Sequence, residues 1–264
     1  MYVFKFGGGN GLNLTSLAND TAKLAKSGQK IIIVSGGNAA LDCAMRAAKM
    51  EPKIITSERG EKSRLTDDKT LALLKKVYGK IAEEIAEKIC AAGAKAIALI
   101  GSDENLILGA RHKKLRIVEN NKRKVIAGDL TGRINSVDAL RLHNFLKNNI
   151  IPVIYPPIKA DTGEEINADG DKIASSIAIA FKAKKLIFFA NTPGLLANLK
   201  DEKSLIKKIP ITEANNFAIG RMKKKVLAAA RAIEAGVGKV IFTDGRIEKM
   251  PIQKALADNG TVVN

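Results

Sequence analysis

Six short, continuously apolar runs are spread along this chain of 264 residues, and they constrain its fold more than any other feature. A run of this length that does not alternate with polar residues predicts a strand buried on both faces. Helices cover both faces of a parallel sheet, so such runs favour a parallel sheet in an α/β fold. The runs are Tyr2 to Phe6, Lys30 to Val34, Ala96 to Ile100, Ile150 to Ile154, Lys185 to Phe189 and Lys239 to Phe242.

Amphipathic helical patterns separate most of these runs. The clearest extends from Asp67 to Ala92, where apolar residues recur three or four positions apart until Gly93 interrupts the pattern. Thr66 or Asp67 is placed to cap this helix. Strands and helices that alternate along a chain of this length predict one large α/β domain, or two lobes divided near residues 156–161.

The alternation is interrupted between residues 104 and 126. Short β-like pieces rich in Lys and Arg lie there on either side of Asn120 and Asn121. Asn residues between two short extended pieces are typical of a turn, so we expect a hairpin that projects from the sheet. This hairpin is a candidate lid or partner-docking element.

The charge balance indicates an anionic partner. The chain carries 44 Lys and Arg residues against 27 Asp and Glu residues, a formal net charge of +17. Heat-adapted proteins with lysine-rich surfaces usually gain Glu as well, which keeps their net charge small. ATP, a nucleic acid or an acidic protein explains the excess better. Nucleic acid ranks last, because aromatic residues make up only 4% of the chain and no recognition motif is present.

Cysteine usage and hydropathy bear on where the protein works. Cys43 and Cys90 are far apart in the sequence, which suggests neither a disulfide framework nor a zinc site, and we expect both to be packing residues. No apolar stretch approaches the length of a membrane span, and Met1 to Gly9 is too short and glycine-rich for a signal sequence. We therefore expect a soluble, cytoplasmic protein with no membrane partner.

Two glycine loops follow predicted strands. Lys5-Phe6-Gly7-Gly8-Gly9 ends the first strand, and Val34-Ser35-Gly36-Gly37-Asn38 ends the second. Glycine lets backbone N–H groups approach a phosphate closely, and the carboxyl ends of parallel strands meet at one edge of a sheet. One such loop often serves only a tight turn, but two on one edge favour a polyphosphate site.

Three further polar segments are candidates for substrate contacts. In Ser63-Arg64-Leu65-Thr66, the arginine can clamp a carboxylate with both guanidinium edges. Asn167-Ala168-Asp169-Gly170-Asp171 looks like part of a calcium loop, but the longer ligand series and closing glutamate are missing. Lys223-Lys224-Lys225 begins an amphipathic helix. Most lysine clusters are solvated faces, so only position can assign this one a role.

In their order and spacing, these motifs resemble those of the amino-acid-kinase family over nearly the whole chain. The resemblance is greatest to the kinases that act on aminoadipate or glutamate attached to the carrier protein LysW, which are relatives of acetylglutamate kinase. The motifs that carry it are Lys5-Phe6-Gly7-Gly8, Val34-Ser35-Gly36-Gly37, Thr56-Ser57 leading to Ser63-Arg64-Leu65-Thr66, Thr131-Gly132, Asn167 to Asp171, Pro193-Gly194 and Met222 to Lys225.

This resemblance implies a three-layer αβα sandwich with a mainly parallel central sheet, the fold that carbamate kinase also has. One amino-acid-kinase domain would cover residues 1–264, with an acceptor-binding lobe at 1–160 and an ATP-binding lobe at 161–264. It also implies ATP and Mg²⁺ as cofactors, a homodimer or larger assembly, and a place in lysine or arginine biosynthesis.

The resemblance also assigns roles to individual residues. Lys5 and Lys225 would contact the transferring phosphoryl group, and Asp171 would hold both lysines in place. No protein residue is expected as a metal ligand. The remaining implied contacts are phosphate binding by Gly7, Gly8, Gly36 and Gly37, acceptor binding by Arg64 and Asn167, and nucleotide binding by Asn191, Pro193 and Gly194.

The implied partner is a small, acidic carrier protein that presents the amino acid at its carboxyl terminus. A net charge of +17 suits that partner better than free acetylglutamate. Glutamate and aminoadipate differ by one methylene, worth only about 1–3 kcal/mol in a pocket, so the sequence does not decide between them.

Three residues depart from the family pattern. Ser35 and Asn38 flank a glycine pair where relatives usually have His-Gly-Gly-Gly, and Asn191 replaces an aspartate before the Pro-Gly turn. A kinase for free acetylglutamate and a catalytically weakened sensor of nucleotides or amino acids are the alternatives. The retained Lys5, Asp171 and Lys225 favour an active enzyme.

Overall fold

The computed structural model of the chain describes residues 1–9, 11–58, 62–119 and 122–264. Its strands in chain order are β1 (Tyr2–Phe6), β2 (Ile31–Ser35), β3 (Ile54–Thr56), β4 (Lys62–Arg64), β5 (Lys95–Ile100), β6 (Ile107–Arg111), β7 (Leu115–Glu119), β8 (Lys122–Ile126), β9 (Gly132–Val137), β10 (Ile150–Tyr155), β11 (Ile158–Ala160), β12 (Glu165–Ile166), β13 (Lys185–Ala190), β14 (Lys208–Ile209), β15 (Val240–Asp244) and β16 (Thr261–Val263).

Helices connect most of these strands. In chain order they are α1 (Leu14–Lys26), α2 (Asn38–Ala47), α3 (Asp68–Ala91), α4 (Ala139–Lys147), α5 (Gly170–Ala180), α6 (Ile211–Ala214), α7 (Arg221–Glu234) and α8 (Pro251–Leu256), with short 3₁₀ turns at Asp103–Asn105, Glu202–Ser204 and Asn215–Phe217.

The central sheet has the strand order β14-β16-β15-β13-β1-β2-β10-β5. All six apolar runs of the sequence are strands of this sheet, and their ends differ from the predicted ones by at most two residues. The neighbouring strands run parallel, except that β15 and β16 are antiparallel. The predicted, mainly parallel sheet is therefore confirmed.

Helices cover both faces of this sheet. On one face, Val3 and Val34 pack into a core with residues of α4, α5 and α7. On the other face, Phe4 and Phe6 pack with residues of α1, α3 and α8. Successive residues of a strand point to opposite faces, which is why neighbours in β1 enter different cores. The result is the three-layer αβα arrangement that was predicted.

Three smaller sheets lie outside the central one. Strands β12, β11, β6 and β9 form one of them, and the pairs β3–β4 and β7–β8 form the other two. A bridge between Ser57 and Ile117 joins the two hairpins. The β7–β8 pair lies in the segment where the sequence predicts a projecting hairpin, while Asn120 and Asn121 lie outside the described residues.

Two local expectations have clear outcomes. Asp67, and not Thr66, caps α3, because its carboxylate accepts a 2.8 Å hydrogen bond from the N–H of Thr70. The expectation that both cysteines are packing residues is wrong, since Cys43 and Cys90 are exposed on α2 and α3. None of the described helices has the length and apolar character that crossing a membrane requires.

Candidate active site

The two glycine loops lie against each other at the carboxyl edge of the central sheet. Phe6 and Ser35, the last residues of β1 and β2, are register partners. Gly8 accepts a 2.8 Å hydrogen bond from the N–H of Ala39. A Cβ atom at Gly8 would lie 2.6 Å from the backbone nitrogen of Asn38, so no larger residue fits there without moving the loops.

A cavity of about 210 Å³ opens beside these loops. Its wall includes backbone from both loops and apolar side chains such as Leu12 and Ile81. Asn38, one of the three departures from the family pattern, is exposed at the start of α2. Its side-chain oxygen accepts a 2.8 Å hydrogen bond from the Tyr78 hydroxyl, so a side chain of α3 fixes the position of this amide.

Lys5 is buried beneath this edge, on the same sheet face as Val3, and is only 4% exposed. Its ammonium donates a 2.8 Å hydrogen bond to the carbonyl of Phe6 and lies 3.9 Å from a carboxylate oxygen of Asp171. A Cβ atom at Gly36 would lie 2.9 Å from the Lys5 nitrogen. Burial lowers the pKa of Lys5 to about 8, with nearby Lys225 acting in the same direction and Asp171 opposing it.

Lys225 meets the same aspartate from the helix α7. Its ammonium donates hydrogen bonds of 2.9 Å to each carboxylate oxygen of Asp171 and lies 5.6 Å from the ring centre of Phe188. Asp171 is the second residue of α5. The structure thus brings Lys5, Lys225 and Asp171 together at the edge where the glycine loops lie.

A second lysine–aspartate pair lies beside the first, and sequence reasoning missed it. Lys224 lies 3.3 Å from a carboxylate oxygen of Asp169 and donates a 3.1 Å hydrogen bond to the Ser63 hydroxyl of β4. Burial alone would raise the pKa of Asp169, but Lys224, the N–H of Asp171 and Lys225 hold it below its usual value. The available signals were the two aspartates of Asp169-Gly170-Asp171 and the lysine triplet at residues 223–225.

Arg64 lies in β4, and its guanidinium contacts two side chains of α2. It forms an ion pair with Asp42 of α2 and also lies 2.9 Å from the sulfur of Met45. Its side chain is only 10% exposed. Asp42 is in turn 3.9 Å from Arg221, the first residue of α7. The sequence singled out Arg64 but gave no sign of this internal carboxylate partner.

Asn167 precedes α5 and forms hydrogen bonds with two other chain segments, at residues 130–132 and at Thr66. Its backbone N–H donates a 2.7 Å hydrogen bond to Leu130, and its carbonyl accepts a 3.1 Å hydrogen bond from Gly132. Its side-chain amide donates a 3.3 Å hydrogen bond to the Thr66 hydroxyl, two residues after Arg64. Through Thr66, Asn167 is therefore linked to the segment that carries Arg64.

The predicted nucleotide loop follows β13, which neighbours β1 on the side away from β2. Asn191 faces the first glycine loop, because a Cβ atom at Gly9 would lie 3.7 Å from its side chain. Gly194 has φ of +157°, and a Cβ atom there would lie 2.5 Å from the Thr261 hydroxyl. Asn191, Pro193 and Gly194 thus reach the same carboxyl edge as the glycine loops.

An ion triad holds the far end of this nucleotide loop, and the sequence did not reveal it. Arg246 donates two 2.8 Å hydrogen bonds to Glu202 and further bonds of 2.7 and 2.9 Å to Asp244, the last residue of β15. Hydrogen bonds to Asp244 and Glu202 raise the pKa of Arg246. Both partners therefore hold the guanidinium, which ties the loop to the sheet edge.

The donor set suits phosphate groups better than a directly coordinated metal. The buried Lys5 ammonium lies beside the backbone of the glycine loops, and the nearby Asp169 and Asp171 are already paired with lysines. The described ranges contain no group of three or more His, Cys, Asp or Glu residues able to hold a metal ion. Mg²⁺ bound mainly through nucleotide phosphates fits this arrangement.

Comparisons with known proteins show what the chain is similar to. The chain matches the model of the amino acid kinase family over residues 1–244. [LysW]-aminoadipate kinase from Thermus thermophilus is 40% identical to it over an alignment that covers 100% of both chains. Acetylglutamate kinase from Methanothermobacter thermautotrophicus is 35% identical, over 89% of this chain and 81% of that one.

Solved structures show the same fold at low sequence identity. N-acetylglutamate synthase from Neisseria gonorrhoeae, complexed with coenzyme A and N-acetylglutamate, has a TM-score of 0.80 at 21% identity. The match covers 99% of this chain, which spans 58% of that longer one. Carbamate kinase from Giardia has a TM-score of 0.67 at 16% identity, covering 99% of this chain and 97% of that one. The predicted fold type is confirmed.

Proposed function

The chain belongs to the amino acid kinase family, and we propose that it uses ATP to phosphorylate the side-chain carboxylate of aminoadipate or glutamate attached to an acidic carrier protein, LysW. The product would be an acyl phosphate. The observation that carries this proposal is that Lys5 and Lys225 both contact the carboxylate of Asp171, at the edge where two glycine loops meet.

The reaction requires little from the protein beyond position and positive charge. A side-chain carboxylate has a reference pKa of about 4.3, so it is already an ionised nucleophile at neutral pH and needs no general base. Phosphoryl transfer depends on in-line placement and on neutralising the charge that spreads over the phosphoryl oxygens. Lys5 and Lys225 provide that charge, and Asp171 keeps the two ammonium groups in register.

Backbone groups account for the phosphate contacts. The loops that contain Gly7, Gly8, Gly36 and Gly37 would bind phosphate oxygens through backbone N–H groups. The N–H of Gly7 itself donates a 2.9 Å hydrogen bond to the carbonyl of Phe189, so Gly7 would hold the first loop in place. The loop at Asn191, Pro193 and Gly194 reaches this edge from the other side and would bind the nucleotide. Mg²⁺, when bound with ATP, supplies further charge neutralisation on the phosphates.

On the acceptor side, Arg64 and Asn167 would hold the α-carboxylate and the amide of the bound amino acid. Arg64 has the bidentate geometry that carboxylates prefer. Residues 1–160 would form the acceptor-binding lobe and residues 161–264 the ATP-binding lobe. The hairpin β7–β8 lies beside β3–β4, so it is placed to cover or dock an acceptor in that lobe.

The carrier explains the net charge of +17. An acidic protein partner is steered toward a basic surface, which speeds association and makes it sensitive to salt. The 40% identical relative acts, by its name, on a LysW-linked substrate, which supports the same class of acceptor here. A cytoplasmic homodimer or larger assembly working in lysine or arginine biosynthesis completes the proposal.

The acceptor preference tests the proposal. ADP release is measured with carrier-linked aminoadipate, carrier-linked glutamate and free N-acetylglutamate, each at low and moderate salt. Turnover that requires the carrier and falls with salt is the expected result. Turnover with free N-acetylglutamate alone would assign the chain to the acetylglutamate kinases, and nucleotide binding with no turnover on any acceptor would leave the sensor alternative.

A further inference from the structure

Asp42 forms an ion pair with the guanidinium of Arg64, the group that the proposed function assigns to the acceptor's carboxylate. One of its carboxylate oxygens contacts Nη2 of Arg64, while the other is 3.9 Å from Nη2 of Arg221. The two arginines differ in surroundings, since the Arg64 side chain is 10% exposed and the Arg221 side chain is 69% exposed. Asp42 itself is 25% exposed and lies between them.

The contact between Asp42 and Arg64 has a physical reason. A guanidinium with little solvent around it is costly to leave without an anionic partner. Asp42 supplies that partner from the first turns of α2, four residues after Asn38 of the glycine loop. An acceptor carboxylate that binds Arg64 therefore competes with a carboxylate that the protein already holds there.

Arg221 is a second cationic partner for Asp42 when the acceptor's carboxylate binds Arg64. It stands at the start of α7, the helix that also carries Lys224 and Lys225. At 3.9 Å, the contact with Asp42 is longer than a direct hydrogen bond and leaves room to shorten. A movement of Asp42 from Arg64 toward Arg221 would connect the acceptor site with the lysine-bearing end of α7.

We propose that Asp42 is an internal competitor for Arg64: its carboxylate pairs with the Arg64 guanidinium and moves to Arg221 when the acceptor's carboxylate binds. This inference rests on the proposed role of Arg64 as the carboxylate clamp. In it, Asp42 is a positioning residue that sets acceptor affinity and links acceptor binding to α7. The Asp42→Asn variant removes the competing charge while keeping the shape of the side chain.

Binding measurements without ATP separate this inference from catalysis. Calorimetry is performed with carrier bearing aminoadipate and with the same carrier unloaded, so that the difference gives the contribution of the attached amino acid. Asp42→Asn is expected to bind the loaded carrier about tenfold more tightly, with unchanged affinity for the unloaded one. Arg221→Gln is expected to weaken loaded-carrier binding severalfold. In the Asp42→Asn background, Arg221→Gln should have no further effect on the difference.

Two matched controls remove the effect of net charge alone. Glu87→Gln on α3 makes the same change as Asp42→Asn, and Arg231→Gln on α7 makes the same change as Arg221→Gln, both at exposed positions away from Arg64. Loaded-carrier affinity that is unchanged or weaker in Asp42→Asn would overturn the inference. So would an Arg221→Gln effect of equal size in both backgrounds.

The outcomes also distinguish this inference from the proposed function. If no carrier binds and no acceptor is phosphorylated, the proposed function fails, and the calorimetry is repeated with free N-acetylglutamate. Tighter binding of that probe to Asp42→Asn would still support the competition at Arg64, and equal binding would refute it. Should Asp42→Asn fold poorly, the exposed Arg221→Gln variant tests the link, because wild-type affinity in that variant contradicts it.

Discussion

The carboxylate of Asp171 accepts hydrogen bonds of 2.9 Å at both of its oxygens from the ammonium of Lys225. The same carboxylate is 3.9 Å from the ammonium of Lys5. One buried anion thus forms ion pairs with two cations that come from distant parts of the sequence. The arrangement holds positive charge beside the glycine loops, and it makes the roles of the three residues separately testable.

Removing the charge of Lys225 should slow phosphoryl transfer without abolishing substrate binding. We expect Lys225→Met to lower kcat by roughly 100- to 1,000-fold, the range for a lost transition-state donor. Lys223→Met is the matched control, because it removes an exposed lysine from the same turn of α7. Steady-state kinetics with both substrates measure the effect. Equal losses in the two variants would mean that only the general charge of this helix matters.

The pH dependence should report the ionisation of Lys5. Its pKa of about 8 means that Lys5 is mostly protonated at pH 7 and loses its charge as the pH rises through 8. Because the charged form is the active one, kcat/KM for ATP should fall on the alkaline side with an apparent pKa near that value. In Lys5→Arg the cation persists to high pH. The alkaline fall should then disappear, and a fall that stays would assign it to another group.

The close approach of the two glycine loops predicts a difference between neighbouring glycines. A Cβ atom at Gly8 would lie 2.6 Å from the nitrogen of Asn38, whereas a Cβ atom at Gly9 meets nothing nearer than 3.7 Å. Gly8→Ala must displace backbone, at about 1–3 kcal/mol for overpacking. We expect its KM for ATP to rise at least tenfold, with Gly9→Ala within threefold of wild type. Similar KM values in both variants would rule out this account of the loops.

Ser35 offers a test of stability. Its hydroxyl is buried and has no hydrogen-bond partner in the described part of the chain, while the buried hydroxyl of Ser175 donates a 2.8 Å hydrogen bond to Ala228. Removing an unpaired hydroxyl is close to neutral or stabilising, and breaking a buried hydrogen bond costs about 1 kcal/mol. In urea unfolding, Ser35→Ala should therefore match or exceed wild-type stability, and Ser175→Ala should fall below it. The reverse order would contradict this reading of the two sites.

The sequence predicted the long elements well because their patterns are strong. Strand β1 has the predicted ends, and α3 has them within one residue, since one is a continuous apolar run and the other repeats its apolar residues over many turns. The two-residue β14 and the three-residue β16 were missed, because segments this short carry no periodicity. The antiparallel pairing of β16 with β15 depends on tertiary packing alone.

The family resemblance singled out Lys5 and Lys225, and the fold brings both to Asp171. Partners that depend on side chains from other elements were not predicted. Asp42 lies in an ordinary helical stretch, and only the fold shows that it meets Arg64. Asp171 and not Asp169 was assigned a role, because the family resemblance implied one only for Asp171. Their separate partners, Lys224 and Lys225, appear only when α5 and α7 are placed together.

The most direct test of the central claim is chemical trapping of the product. The protein is incubated with ATP, Mg²⁺ and carrier bearing aminoadipate or glutamate in the presence of hydroxylamine, and the intact carrier is then weighed by mass spectrometry. The account predicts an ATP-dependent hydroxamate at the carrier's terminal amino acid, formed by wild type and by Lys223→Met but strongly reduced in Lys225→Met. A carrier that stays unmodified while free N-acetylglutamate is converted to its hydroxamate would contradict the account.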